Sequence, residues 1–477
     1  IDEGRRLLEM AASSPKPIII QKANRSEASA QIAFSHTAAL ANDDVIVDAA
    51  LQQAGVARAA SFEEAVALAQ GYTLPPVVGD DLLIVSRSGG HAVVAADAAE
   101  AHGFRLMPIP EPFAAAVQRM FRADVIAPTN PLDLGAIFDF DLYGQIAAES
   151  LQALNPSALL LIHTYSCGAE ATMSRRLARR LEQLSRELEK PLALCAFAQQ
   201  RQVQDLKAEI GLPVFTEIGA AVRALAASRD RQTRSVLPPL PSVPAERPES
   251  ADPLLTEEGV LTTERALDLC ASFDVPVEEW AVVKDQQSAE SAAAAFGYPV
   301  VLKGLSPQVS HKSDAGLVAL DIANAAQLQA AFGEISAALE GFRRSATPTG
   351  VMVQRMVSGG REMIIGGKRD PSFGPVVMLG LGGVYVEALG DVVFRLAPLS
   401  REEVRAMMDE LQGSRLLHGA RDEPPVDLNA LADVLLSMSE LLLACPEIIE
   451  IEINPLMVFR DGAAAIDARA IVRSQRT

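Results

Sequence analysis

Three patterns of apolar and polar positions follow one another along the chain. The first opens with IDEGRRLLEM, which reads as a helix already under way, and continues with the β-branched run Pro17 to Gln21. A polar loop and the segment SHTAALA around His36 come next. Helical spacing returns at Asp43–Ala54 and Ser61–Ala69, where Ser61 followed by Glu64 is a capping-box signature. The second pattern starts near Asp81. LLIVS predicts a buried strand, SGG a tight turn, and the stretch from about His91 to His102 a helix. Further strands are expected at Arg105–Ile109, Ala158–Thr164, Leu192–Phe197 and Pro213–Phe215, with helical stretches between or after them. Apolar strands alternating with helices predict a parallel sheet covered on both faces.

From Val236 to Pro253 the pattern breaks. Six prolines with Ser and Glu continue neither a helix nor a sheet ladder, so this segment reads as a semi-rigid linker. The third pattern, from about Leu255, is dominated by paired strand candidates: VPVEEWAVV, PVVLKGL, GLVALDI, GVMVQRMV, REMIIGG, PVVMLGL, EIIEIEINPLMVF and AAAIDARAIV. Helices are fewer there, which predicts an α+β unit.

Composition narrows the function classes. A chain of 477 residues is too long for one core. Its formal net charge of -19 argues against a nucleic-acid partner, which requires a basic footprint. Anionic ligands then need local donors such as helix N-termini and single Lys or Arg side chains. No apolar run has the length of a membrane span. Cys167, Cys195, Cys270 and Cys445 are scattered without metal-ligand spacing, and read as buried thiols in a reducing compartment, the cytoplasm.

Several residues have the chemistry of a site. His36 lies in a Ser-His-Thr turn followed by small residues, and a helix starting there would favour phosphate on the imidazole; the same turn also suits a histidine that only closes a loop. Ser88, Gly89 and Gly90 follow a strand and open a helix, as in a phosphate-binding loop or a plain tight turn. Asn130-Pro131-Leu132-Asp133 reads as a polar loop or an Asx-type turn. Lys303 ends the strand PVVLK, where an ammonium can reach nucleotide phosphates or snorkel to solvent. His311 to Asp314 occupy the loop that follows. GLGGVYVE, with Gly382 and Gly383, resembles a phosphate cradle but lacks the P-loop lysine, and a strand–turn–strand hairpin fits equally. In EIEINP, Glu450, Glu452 and Asn454 are two apart and share one strand face. A turn near Asp461-Gly462 would bring Asp467 nearly opposite Asn454, an oxygen pair suited to Mg²⁺ held with ATP phosphates, or a solvated acidic face.

The motifs KPIIIQK…SHTAALA, SRSGGHAVVAADAAEAHG, NPLDLGA, VLKGLSPQVSHKSDAGLV, REMIIGGKRDPSFGPVVMLGLGGVYVEALGDVVFRLAPL and EIEINPLMV…AAIDARA occur in this order. Together they resemble the ADP-forming acyl-CoA synthetases (acetate–CoA ligases), relatives of succinyl-CoA ligase. The resemblance implies an α/β multidomain chain: two flavodoxin-like parallel-sheet domains of the succinyl-CoA-ligase type over 1–78 and 79–235, a linker over 236–253, and an α+β ATP-grasp domain over 254–477. It implies an enzyme that interconverts carboxylic acid, CoA and ATP with acyl-CoA, ADP and phosphate, through an acyl phosphate and a phosphohistidine, with Mg²⁺ or Mn²⁺. His36 matches the phosphorylated histidine, and His311 a second histidine that relays phosphate. Lys303 and Glu362 match nucleotide-site positions, Gln354, Met356 and Val357 the adenine hinge, and Asn454 and Asp467 the metal ligands. Asp314 and the Ser88–Gly90 and Gly382–Gly383 turns belong to phosphate-facing loops. A homo-oligomer is expected, with no nucleic-acid or membrane partner.

The pattern departs from the family in places. Gly316-Leu317 stands where the family has Gly-Gly, and Glu452 where it has Asp. The family's CoA-binding domain and the glutamate that supports the phosphohistidine are expected before Ile1, outside this sequence. Two other readings stay open: the non-catalytic body of a fused protein acetyltransferase, and an ATP-grasp ligase that forms an amide.

Overall fold

The structure is a computed structural model that describes residues 2–23, 25, 43–120, 129–135, 137–166, 168–233, 238–240, 245–256, 258–306, 315–342, 350–383, 390–419 and 424–473. The chain divides into two compact units, one of residues 1–9, 42–50 and 237–477, the other of residues 10–41 and 51–236. No described helix is long and apolar enough to cross a membrane.

The chain begins with α1 (Asp2–Ser13), β1 (Ile19–Gln21), α2 (Asp44–Gln53), β2 (Ala57–Ala59) and α3 (Phe62–Gly71). Strands β1 and β2 pair in parallel, Ile20 opposite Arg58. The Ser61 hydroxyl caps α3 by accepting from Glu64 N at 3.1 Å. The Glu64 carboxylate answers one residue earlier than a capping box requires, accepting from Ala60 N at 2.7 Å.

A second run follows: β3 (Asp81–Ser86), α4 (Gly89–Ala101), β4 (Arg105–Leu106), α5 (Glu111–Met120), β5 (Leu132–Asp133), α6 (Phe140–Leu154), β6 (Ala158–Thr164), α7 (Gly168–Glu187), β7 (Leu192–Phe197), α8 (Gln200–Glu209), β8 (Val214–Phe215) and α9 (Ile218–Thr233). The strands form a parallel sheet in the order β4-β3-β6-β7-β8, with β5 added beside β3. Counted along the chain without β5, this is the 2-1-3-4-5 order of the flavodoxin-like fold. Leu82 to Val85, Leu159 to Ile162 and Leu192 to Cys195 are buried because helices cover both faces. Two local readings change. β4 ends at Leu106 rather than continuing to Ile109. Asn130-Pro131-Leu132-Asp133 is not a free turn: the Asn130 amide donates to Leu82 O at 2.8 Å and Met107 O at 3.1 Å and accepts from Ile84 N, while Leu132 and Asp133 pair with β3. A side chain satisfying three backbone groups does the work of a missing strand residue.

The third run starts with a 3-10 helix, Glu249–Leu255, which begins within the segment read as linker and runs two residues past it; Ala251 is buried in the core that follows. It continues with β9 (Gly259–Val260), α10 (Thr263–Ala271), β10 (Trp280–Val283), α11 (Gln286–Phe296), β11 (Val300–Leu305), β12 (Val318–Ile322), α12 (Ala325–Phe342), β13 (Gly350–Arg355), β14 (Arg361–Asp370) and β15 (Gly374–Leu381). The last elements are β16 (Val392–Leu396), α13 (Arg401–Glu410), α14 (Ser414–Leu417), α15 (Leu428–Ala444), β17 (Ile448–Val458), β18 (Ala463–Ala465) and β19 (Ala468–Val472). A four-stranded antiparallel sheet, β10-β13-β11-β12, has helices α11 and α12 packed against its core. A seven-stranded antiparallel sheet runs β16-β15-β14-β17-β19-β9, with β18 on β17. Lys303 is not at the end of its strand. Gly304 and Leu305 go on pairing with Val351 and Gly350, because Gly304 leaves room where a Cβ would stand 3.0 Å from Leu317.

Candidate functional site

Strand alternation places the first group of polar residues. Along β17, Ile451 and Ile453 are buried while Glu450, Glu452 and Asn454 occupy the opposite face. The hairpin turn falls at Asp461-Gly462, closed by Phe459 N donating to Gly462 O at 2.9 Å. Gly462 has φ of 87° there, a conformation that favours glycine. The register that results pairs Ile453 with Ala468 and lets Asn454 N donate to Asp467 O at 3.0 Å. Asp467 lies in the gap between β18 and β19, so its side chain is released from strand alternation.

Lys303 reaches this hairpin. Its ammonium, 5% exposed, donates to Ile466 O at 2.7 Å and lies 3.6 Å from the Asp467 carboxylate. Thr263, the first residue of α10, donates its hydroxyl to Asp467 at 3.2 Å. The Asn454 amide donates to Glu452 at 2.9 Å, which orients its carbonyl oxygen away from that carboxylate. Carboxylate and amide oxygens of Asp467, Glu452 and Asn454 are hard donors, the chemistry a divalent cation takes when phosphate oxygens and water complete its shell.

Gln354 pairs with Val301 of β11 and Trp280 of β10. Lys303 is two residues beyond Val301, so the Lys303 and Gln354 side chains leave the sheet on the same face. Gln354 is fully buried, and neither of its amide atoms has a hydrogen-bond partner among the described residues. Met356 and Val357 follow, half-buried, with Met356 N donating to Pro299 O. Glu362 on β14 is exposed, and its carbonyl accepts from Gly382 N at 2.8 Å. A Cβ on Gly382 would stand 2.8 Å from the Glu362 backbone, and one on Gly383 3.1 Å from its carboxylate. These glycines are therefore what lets the end of β15 pass Glu362. β15 and β16 pair antiparallel, with Val376 opposite Leu396.

The second group lies at the carboxyl edge of the parallel sheet. Ser88 is the N-cap of α4 without a side-chain cap bond, and Gly89 and Gly90 form the first turn. The Ser86 hydroxyl holds the loop, accepting from Ser88 N and donating to Ser88 O. Sequence reasoning missed the neighbours of this loop. Arg87 donates to Thr164 O across to β6. His163 is buried against Phe140 and Tyr165 and shares a 2.8 Å hydrogen bond with Ser174. Burial, with the Arg87 charge adding to it, pushes His163 down to about 3, so its ring is neutral. The Tyr143 hydroxyl is 2.8 Å from Ile162 O, and burial holds it well above the usual phenol range. The only local signal for Arg87 was a cation directly after a buried apolar strand. Thr263 had none beyond its place at a helix start.

His36, His311 and Asp314 lie outside the described residues. Cys195, Cys270 and Cys445 are buried free thiols, pushed up by burial to about 12, 12 and 11. Such thiols are inert at neutral pH.

Residues 254–472 match a family described as an ATP-grasp domain, and residues 1–72 one described as a succinyl-CoA ligase like flavodoxin domain. Fold and site thus define an ATP-grasp protein joined to flavodoxin-like domains of the succinyl-CoA-ligase type. The chain is 34% identical, over 99% of its length, to the ADP-forming acetate–CoA ligase I of Archaeoglobus fulgidus, of which it covers 69%. It is 31% identical over 94% of its length to the ADP-forming 4-hydroxybutyrate–CoA ligase of Nitrosopumilus maritimus, of which it covers 65%. Over 45% of its length it is 43% identical to the beta subunit of the ADP-forming acetate–CoA ligase I of Pyrococcus furiosus, of which it covers 93%. The chain belongs to the ADP-forming acid–CoA ligase family, and spans about two thirds of the first two relatives.

Proposed function

We propose that this chain carries the phosphoryl-transfer machinery of an ADP-forming acid–CoA ligase, and that the whole protein converts a carboxylic acid, CoA and ATP into acyl-CoA, ADP and phosphate, reversibly. The observation that carries this reading is the meeting of the Lys303 ammonium, the Asp467 carboxylate and the Thr263 hydroxyl beside Asn454. A lysine held at that point faces phosphate as a fixed positive charge. Asn454 and Asp467 would hold Mg²⁺ or Mn²⁺, and the bound ion would neutralise charge on the phosphate oxygens. Gln354, Met356 and Val357 would border the adenine.

The steps balance as follows. A histidine nitrogen attacks the γ-phosphorus of ATP; an N–P bond forms, the β–γ anhydride breaks and ADP leaves. The resemblance gives this role to His36, with His311 as the relay. A carboxylate oxygen of the acid then attacks that phosphorus, the N–P bond breaks and an acyl phosphate forms. The CoA thiolate attacks the acyl carbon, the C–O bond breaks and phosphate leaves, while the thiol proton passes to solvent. Splitting one transfer into two suits imidazole, which is nucleophilic near neutral pH. Gly89 and Gly90 at the start of α4 would face the phosphate. The buried thiols accord with a reducing compartment, the cytoplasm. The relative described as a beta subunit supports assembly from more than one chain.

The test uses the full-length protein. Incubation with γ-labelled ATP and Mg²⁺ should give acid-labile label on His36, absent in His36→Asn, and hydroxylamine should trap an acyl hydroxamate only when acid is added. No label on the intact protein would end this reading.

A further inference from the structure

The parallel sheet carries polar groups that phosphoryl transfer leaves unused. β3 and β6 are neighbours from which the chain departs in opposite directions, the place where open α/β sheets bind ligands. Arg87 spans that point, with its Nη1 group on Thr164 O. It is 9% exposed, its Nε is buried with no partner among the described residues, and no described carboxylate forms an ion pair with it. Its guanidinium carbon lies 4.5 Å from the Phe140 ring centroid and 5.8 Å from that of Phe138. Phe138 is 68% exposed. Four ring–ring contacts gather at the same edge, including His91 stacked on Phe197 at 4.3 Å. The Nδ1 atoms of His91 and His163 are also buried without partners. Asp133, held by Gly135 N at 2.9 Å, puts a carboxylate against Gly89. Asp133 thus screens Gly89 while Gly90 stays open, and Arg87 adds a strong anion donor at this edge.

We propose that Arg87 binds the carboxylate of the acid substrate, and that Phe138 and its neighbouring rings select acids with a flat aromatic body over acetate. The proposal rests on the ligase reading. With Nη1 committed to Thr164, the donors that remain are Nη2 and the enclosed, unpartnered Nε, and a carboxylate that reaches both completes two parallel hydrogen bonds. A buried cation held by aromatic faces keeps its charge, so an incoming anion is attracted without first displacing an internal partner. An exposed phenyl ring beside that cation offers a stacking surface to an aromatic acid, and acetate has nothing to place on it.

Full-length wild type, Arg87→Gln, Arg87→Lys and Phe138→Ala are compared with cinnamate, benzoate and acetate in the forward direction, and with inorganic phosphate in the reverse. Wild type should have a lower KM for cinnamate than for acetate. Arg87→Gln should raise the KM for every acid about tenfold or more, with Arg87→Lys between it and wild type. The rate of His36 labelling from ATP, which precedes acid binding, and the KM for phosphate, which the reverse reaction reads without free acid, should stay near wild type. Phe138→Ala, at an exposed position that folding does not depend on, should raise the KM for cinnamate and not for acetate. An unchanged acid KM in Arg87→Gln, a raised KM for phosphate in place of acid, or a Phe138→Ala effect equal for cinnamate and acetate would overturn the proposal while the ligase reading stands. Absence of His36 labelling in wild type would overturn both.

Discussion

Lys303 lies within an apolar strand and Arg87 directly after one, both with little exposure, yet their surroundings are opposite. Lys303 is satisfied by the protein: a carbonyl at 2.7 Å and a carboxylate at 3.6 Å hold its ammonium in one place. Arg87 has one carbonyl and two aromatic faces, and no described carboxylate. The first arrangement fixes a charge beside groups suited to a metal and phosphate. The second preserves a charge for something that arrives. The difference lies in the electrostatic work left undone when the site is empty, and burial alone does not reveal it.

The contrast is broken most severely by removing the paired cation. Lys303→Met fills the same space, keeps the Thr263 hydroxyl on Asp467, and deletes the charge proposed to face phosphate. His36 labelling from ATP should fall by about 100-fold or more, and added Mg²⁺ should not restore it. Asp467→Asn should act on the other side of the pair. It should raise the Mg²⁺ concentration for half-maximal labelling about tenfold, with the maximal rate largely recovered at high Mg²⁺. If both variants respond to Mg²⁺ in the same way, lysine and aspartate do not have separate roles.

His163 sharpens the contrast at the other edge, because it is a base kept neutral beside the unpaired Arg87. Its pKa of about 3 in the folded chain lies below the usual 6.5. Between those values the unfolded chain binds a proton that the folded chain does not, so stability falls as pH falls through that window and the loss levels off below about 3. One such group accounts for about 2 kcal/mol of loss between pH 7.5 and 5. Urea titrations of wild type and His163→Gln at those two pH values should show the smaller loss in the variant. Equal losses would mean that His163 does not stay neutral inside the fold.

How much of this could be read from the sequence depended on how local the cause was. Ala158–Thr164 and Leu192–Phe197 were legible to the residue, because a strand buried on both faces is an unbroken apolar run. The β17–β18 hairpin was legible from strand alternation and one Asp-Gly turn. Arg87 was passed over beside the conspicuous Ser88-Gly89-Gly90. What distinguishes it is Thr164, 77 residues away, and Phe140 on another element. Thr263 meets Asp467 across 204 residues. Lys303 was placed at a strand end, but the strand continues through Gly304, over which Leu317 and Ile335 pack. In each case the missing information was a contact between distant segments, which no local pattern encodes.

The smallest expected effect concerns Gln354, which resembles Arg87 in having polar atoms that the protein does not satisfy. Its amide is fully buried on the central strand of a four-stranded sheet, opposite Val301 and Trp280, with no partner for nitrogen or oxygen. An unmet buried amide costs about 1–3 kcal/mol, and a leucine of similar volume has no such cost. Gln354→Leu should therefore leave the unfolding free energy unchanged or raise it by about 1 kcal/mol. If the amide is kept for a nucleotide edge, the same change should weaken ADP binding by about tenfold, read by calorimetry on the full-length protein. Stability that falls together with unchanged ADP affinity would make Gln354 an internal tie like Lys303 and set it apart from Arg87.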